Sequence, residues 1–298
     1  MSSFIDDYKD LWGVEPICAQ LPIAPSTYYA ARIRPPSARS VSDAELKDKI
    51  LKVHKENYEV YGAHKLWKEL KRRGTEVGRD RVARLMSELG IRGASRGKVK
   101  RTTIPGQDRL PDDLVNREFR APAPNRLWLA DLTYVWTIAG FCYVAFIVDA
   151  FSRAIVGWRV SRSLSADLAL DALEMAIHSR QGDLTGLVHH SDRGVQYLAI
   201  RYTERLEQQG AVTSVGSKGD SYDNALAETV NGLYKTELIH RRGPWRNPDD
   251  VELGTLGWVD WYNNRRLHGA CGDIPPAEFE ANYYRQLEEA SKQSVPTA

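Results

Sequence analysis

Apolar positions change their period once along this 298-residue chain. From Asp43 to Leu89 they recur every three or four residues, as on one face of a helix. Leu46, Ile50 and Val53 mark a first helix, with Ser42 or Asp43 able to cap its start. Leu66, Trp67 and Leu70 mark a second, near Gly62 to Arg73, which Gly74 ends. Val82, Leu85, Met86 and Leu89 mark a third, near Arg79 to Leu89, leaving Arg79, Arg81 and Arg84 largely outward. Three short helices with a small turn between the last two predict a helix-turn-helix whose third helix offers arginines to a DNA groove. The bland alternative is a basic three-helix bundle with solvated charges.

Beyond residue 124 the pattern becomes that of strands. Leu127 to Trp136 suits a strand of mixed burial, and Phe141 to Val148 is apolar enough for a central one. Arg153 to Val160 completes an antiparallel meander. A helix is predicted over Ser165 to Ser179, a strand over Leu187 to Asp192 and a helix over Tyr197 to Gln209. A short strand over Val212 to Val215, a helix over Ala225 to His240 and a last helical region over Val251 to Tyr262 follow. The order β-β-β-α-β-α-β-α predicts an α/β domain: a mixed five-stranded sheet flanked by helices, preceded by the small all-α module.

Residues 1–40 read as a lead-in. Pro16 to Pro25 is too often interrupted by proline for a long helix, Ser26 can cap a short one through Tyr29, and Pro35-Pro36 reads as a linker. Prolines 105, 111, 122 and 124 mark another linker. The expected plan is therefore a lead-in over 1–40, a helix-turn-helix over 41–100, a linker over 101–122, a core over 123–285 and a tail over 286–298.

Charge sharpens this division. Residues 1–120 carry 24 Lys and Arg against 17 Asp and Glu, whereas the remainder carries 17 against 22. Within Gly62 to Arg101 the count is 13 basic to 4 acidic. A polyanion-binding module beside a cation-holding one fits this asymmetry. Arg92 to Arg101, with Arg96, Lys98, Lys100 and Arg101, reads as a flexible arm that tracks a phosphate backbone. Three scattered cysteines argue against a disulfide framework or a zinc cluster. No run approaches 18 apolar residues and the N-terminus lacks signal-peptide character, so a cytoplasmic protein without a membrane span is expected.

Three acids stand where packing does not need them. Asp131 lies within the first strand, Asp192 ends the fourth, and Glu228 lies in the first turns of the helix from Ala225. Carboxylates on two adjacent strands and a crossing helix suit Mg²⁺, which takes oxygen ligands. Two such ions about 3.5–4 Å apart activate an attacking oxygen and stabilise a leaving one in phosphoryl transfer. Lys235, seven residues after Glu228 on nearly the same helical face, could hold a phosphate nearby. Each acid alone has an ordinary reading: a strand-end hydrogen bonder, a turn residue, a solvated helix position. Asp149 and Asp223 are rival acids. Asp223 and Asn224 read as helix caps, with Asn224 also placed to meet DNA. His189 and His190 point to opposite faces of their strand and make poor joint ligands.

The segments Ala130-Asp131-Leu-Thr-Tyr-Val-Trp-Thr137, His190-Ser-Asp192-Arg-Gly-Val-Gln-Tyr197 and Asp223-Asn-Ala-Leu-Ala-Glu228 resemble the DDE motif of bacterial insertion-sequence transposases. The last two acids have 35 residues between them. The similarity is to the family whose transposase is read from two overlapping frames, and this chain resembles the second-frame product. Trp261-Tyr-Asn-Asn-Arg-Arg-Leu-His268 with Pro275-Pro276 resembles the family's C-terminal signature, for which packing and DNA contact are expected. The resemblance spans about residues 40 to 280. It implies a ribonuclease H-like core similar to retroviral integrase, with Asp131, Asp192 and Glu228 as ligands of two Mg²⁺ (or Mn²⁺) ions and Lys235 on terminal DNA. It also implies cleavage at terminal inverted repeats, strand transfer by the freed 3′-OH into target DNA and a homo-oligomer on double-stranded DNA beside the bacterial nucleoid. The family's upstream frame supplies a further helix-turn-helix and a coiled coil. This chain has no heptad run, so the upstream-frame product is a candidate partner. The rival readings are a non-catalytic DNA-binding regulator and a ribonuclease H-like nuclease that cleaves without joining.

Overall fold

The computed structural model describes residues 2–95, 121–181, 184–191, 197, 199–215 and 225–293. The chain divides into two compact units, Met1–Lys49 and Ile50–Ala298. In the first, the stretch expected as a lead-in forms three short helices: α1 (Ser2–Trp12), α2 (Val14–Gln20) and α3 (Pro25–Ile33). Its prolines do not break them. Pro16 falls in the first turn of α2 and Pro25 opens α3, where a missing N–H costs nothing. Ile5, Ile17, Cys18 and Tyr28 are buried together, and Tyr28 donates its hydroxyl to Asp6 at 2.7 Å. Helix α4 (Ala38–Glu56) starts five residues before Asp43, because Ser37 Oγ accepts the Ser40 N–H at 3.2 Å and supplies the cap expected of Ser42 or Asp43.

Within the second unit, α5 (Ala63–Arg72) and α6 (Arg79–Glu88) form the expected helical pair. Gly74 ends α5 at φ +76°, a conformation that lets Thr75 N–H reach back to Leu70 at 2.9 Å. Trp67 Nε1 donates to Val77 at 2.9 Å and fixes the turn.

The sheet contains β1 (Leu127–Thr137), β2 (Gly140–Asp149), β3 (Ile155–Ser161), β4 (Val188–Ser191) and β5 (Val212–Val215), in the order β3-β2-β1-β4-β5. The meander β1-β2-β3 is antiparallel, whereas β4 and β5 join parallel to β1. Both crossovers are helical: α7 (Ala166–Arg180) and α8 (Ile200–Gln208). One face of the sheet packs Trp128, Ala130, Ala145 and Ile147 against Leu168, Ala172 and Leu173 of α7. Gly157 makes this approach possible, since a Cβ there would lie 2.1 Å from the Ala172 carbonyl oxygen.

The other face is covered by α9 (Ala225–Tyr234), which continues through a π turn (Lys235–Ile239) into α10 (His240–Arg242), and by α11 (Pro248–Asn264). Phe146, Tyr234 and Trp258 meet there at near-perpendicular ring angles. A further helix, α12 (Pro276–Gln293), extends into the stretch expected as a tail. Its Glu280 pairs with Arg180 of α7, and Phe279 and Tyr283 pack on Phe151.

The helical pair is not tethered to the core by a linker alone. Trp261 of α11 donates to Asn57 at 3.0 Å, Leu267 N–H donates to the Tyr61 hydroxyl at 2.8 Å, and Arg72 grips Glu278 through two nitrogens. Residues from both ends of the unit thus share one interior.

Candidate active site

Strand β1 pairs with β4 from Leu127 to Ala130, and the last register partner is Ser191. Asp131 is the next residue on β1, half-buried at the point where the described pairing stops. Strand alternation places it on the same face as Leu129, under α9. Its Oδ1 accepts the Leu132 N–H at 2.8 Å, and its Oδ2 accepts Asn231 Nδ2 at 2.8 Å. Glu228 stands exposed one helical turn before Asn231. Asp192 follows Ser191 in the chain, but it lies outside the described residues.

Lys235 begins the π turn and brings its Nζ to 4.5 Å from the centre of the Tyr134 ring. Burial lowers its pKa, and the Asp131 charge partly opposes that shift. A cation therefore sits within electrostatic range of the first acid.

Asn231 was not foreseen. Its signal was positional: it lies three residues after Glu228, hence on the same side of the helix. It is only 7% exposed, and its Oδ1 meets no hydrogen-bond donor among the described residues. A buried amide oxygen without a donor, beside a carboxylate, suits a hard cation that takes oxygen ligands. Among the described residues no group of three His, Cys, Asp or Glu side chains could hold a metal ion. The middle member of the predicted triad is not among them.

The rival acid Asp149 has a structural task. It is fully buried, and its oxygens accept N–H groups from Asn125, Phe151 and Ser152 and the Ser152 hydroxyl. It ties the turn after β2 and is not open to a ligand. Burial nevertheless raises its pKa, with those hydrogen bonds opposing. Asp223 lies outside the described residues.

The histidines diverge as expected. His189 Nε2 meets the Tyr202 hydroxyl of α8 at 2.9 Å, while His190 Nδ1 meets Ser214 Oγ of β5 at 3.0 Å. Burial pushes His189 down to about 3, with the neighbouring His190 adding to the shift, so it is neutral at physiological pH.

Of the DNA-contact candidates on α6, Arg79 is exposed, whereas Arg81 and Arg84 are half-buried rather than largely outward. Arg79 pairs with Asp80, and Arg84 pairs with Glu88 one turn on. Arg96, Lys98, Lys100, Arg101 and Asn224 lie outside the described residues. The Trp261–His268 signature is structural wherever it is buried. Asn263 clamps β3 by accepting the Ile155 N–H at 2.9 Å and donating to its carbonyl at 2.8 Å. Arg266 forms a two-pronged ion pair with Glu237 of the π turn at 2.6 and 2.9 Å.

Comparison with known proteins gives the family. Residues 121–221 and 209–276 match models of the integrase core domain, and residues 41–99 match an HTH-like domain. The chain is 57% identical over 272 residues to a putative transposase for insertion sequence element IS986/IS6110 of Mycobacterium tuberculosis, covering 89% of this chain and 98% of that protein. It is 51% identical to the transposase for IS629 of Shigella sonnei, covering 96% of this chain and 98% of that one. The chain belongs to the insertion-sequence transposases. Its sheet, with α7 to α11, accordingly falls in the integrase core domain, and α5 and α6 fall in the HTH-like segment.

Proposed function

We propose that this transposase cleaves the ends of its insertion sequence and joins the freed 3′-OH to target DNA at a site formed by Asp131, Asp192 and Glu228. The carrying observation is the fixed position of Asp131. It sits where the β1–β4 pairing ends, beneath the helix that bears Glu228, next to the buried and unsatisfied Asn231 oxygen. The three carboxylates would hold two Mg²⁺ or Mn²⁺ ions, which supply Lewis-acid activation of the attacking oxygen and stabilise the leaving one.

The protein's own groups have separable tasks in this reading. The Leu132 amide and the Asn231 side chain fix the Asp131 carboxylate, so little reorganisation accompanies the reaction. Lys235 holds a phosphate of the terminal DNA beside the acids. Arg79, Arg81 and Arg84, with the arm containing Arg96, Lys98, Lys100 and Arg101, bind the repeat's backbone, and Asn224 meets DNA near the acids. The module over 41–100 targets the ends and the core over 123–285 performs the chemistry. A homo-oligomer on the two ends, assisted by an upstream-frame product, would act in the bacterial cytoplasm at the nucleoid. No helix among the described residues is long and apolar enough to cross a membrane.

The test is nicking and joining of a labelled duplex carrying the element's end, with Mg²⁺ or Mn²⁺. Asp192→Asn is expected to abolish both steps while leaving end binding in place. Full activity of that variant would overturn the three-acid site.

A further inference from the structure

The β1–β2 hairpin carries aromatic side chains that its own fold does not cover. Tyr134, Trp136 and Phe141 are 58%, 64% and 51% exposed, and Ile138 at the tip is more exposed still. Trp136 and Phe141 are register partners across the hairpin, so they share a face. The Phe141 ring lies nearly perpendicular to both others, with centroids 4.7 Å from Trp136 and 5.7 Å from Tyr134. Rings meeting at right angles do not cover one another face to face.

Three rings of this size left in water represent a large uncovered apolar area, the kind that marks a binding surface. The ridge is also held rigid. Ile138 N–H donates to Trp245 at 2.9 Å, Ala139 N–H donates to Arg246 at 3.0 Å, and Thr137 Oγ1 closes on Gly140 at 2.7 Å. A clamped tip offers stacking surfaces at little ordering cost.

Position and charge select the occupant. Tyr134 is three residues beyond Asp131, about 10 Å along the strand. Strand alternation places it on the opposite face of the sheet, and Lys235 relates the two: its ammonium sits over the Tyr134 ring and feels the Asp131 charge. A cation joined to exposed rings is the combination that binds single-stranded nucleic acid, where phosphates follow the charge and bases stack on the rings.

We propose that Tyr134, Trp136 and Phe141 form a stacking platform for unpaired bases at the DNA end, with Lys235 guiding the strand from the acid site along the part of β1 that lies beyond its described pairing with β4. The platform rests on the proposed action at DNA ends. Its work is to hold the terminal base pairs open so that the scissile phosphate can settle beside Asp131.

The test uses the full chain and two duplexes carrying the element's end, one fully paired and one mismatched over its terminal base pairs. Trp136→Ala is expected to slow cleavage of the paired duplex about tenfold, the lower range for loss of a base–aromatic stack. On the mismatched duplex it should cleave at nearly the wild-type rate, and Trp136→Tyr should retain most activity on both. An equal loss on the two duplexes, or none on the paired one, overturns the platform. A Trp136→Ala change in the sedimentation of the DNA-free protein also overturns it, by assigning the ridge to a second copy. If wild-type protein cleaves neither duplex, the proposed action at ends has failed instead. Thermal melting of the variants identifies any loss due to misfolding, and Phe141→Ala then supplies the same comparison.

Discussion

One helix carries two glutamates with opposite fates. Glu228 stands exposed near the start of α9, whereas Glu237 in the π turn is 5% exposed and locked to an equally buried Arg266. Arg266 also lies near the Trp261 and Tyr262 rings and within 3.3 Å of His268 Nδ1. Glu237 has its charge compensated inside the protein and serves architecture. Glu228 has open solvent before it, and Asp131 nearby is oriented by an amide that still has an unsatisfied oxygen. A carboxylate becomes available for chemistry when the fold fixes its place without consuming its charge.

The largest effect is expected from breaking the locked pair. Arg266→Ala leaves Glu237 buried without its paired guanidinium and should cost about 3–5 kcal/mol in denaturant unfolding. Replacing both, as Glu237→Leu with Arg266→Met, should restore most of that stability. If the double variant is as unstable as the single, charge compensation is not the pair's role.

A smaller effect, confined to activity, is expected at the open end. Asn231→Ala removes the donor to Asp131 Oδ2 and should reduce cleavage by about 10–100-fold, as for other groups that orient a ligand. Its melting temperature should stay close to wild type, and added Mn²⁺ should recover part of the rate. A large fall in melting temperature would instead make Asn231 a packing residue.

The smallest effect concerns Lys65, near the locked pair. Burial lowers its pKa to about 8, with Arg266 adding to the shift and Glu237 and Asp273 opposing it. Between about pH 8 and the ordinary lysine value of 10.5, the unfolded chain keeps a proton that the folded chain has released. The lysine's contribution therefore becomes more favourable as pH rises through that window, and its cost is fully present below it. Lys65→Met should be the more stable protein at pH 7, with the gap narrowing toward pH 10. A gap constant across that range would exclude a charging cost.

Much of the core was legible because strand periods and acid spacing are local. Phe141 to Val148 reads as a central strand, and the register bears it out with partners on both sides. Asp131 and Glu228 stand out in the sequence because acids in apolar surroundings conflict with packing. Other features were hidden because they depend on distant partners. Pro16 and Pro25 looked like helix breakers, yet they fall where a helix does not use the N–H. Asn231 carries no charge to attract notice. The Arg266–Glu237 pair joins residues whose separate contexts look like surface, and Asp149 resembles a catalytic acid until the turn that it ties is seen.

The π turn at Lys235–Ile239 also has a bearing on how this helix could change over time. Successive residues of an α-helix point about 100° apart, so one inserted or deleted residue rotates everything beyond it. The wide turn joins the half that answers to the sheet's acids to Glu237, which lies within the turn and answers to Arg266. It sets the phase between them, as a spacer sets two gears on one shaft. Substitutions can accumulate on either side with little cost to the other, but a change in length at this turn would put one of the two halves out of mesh.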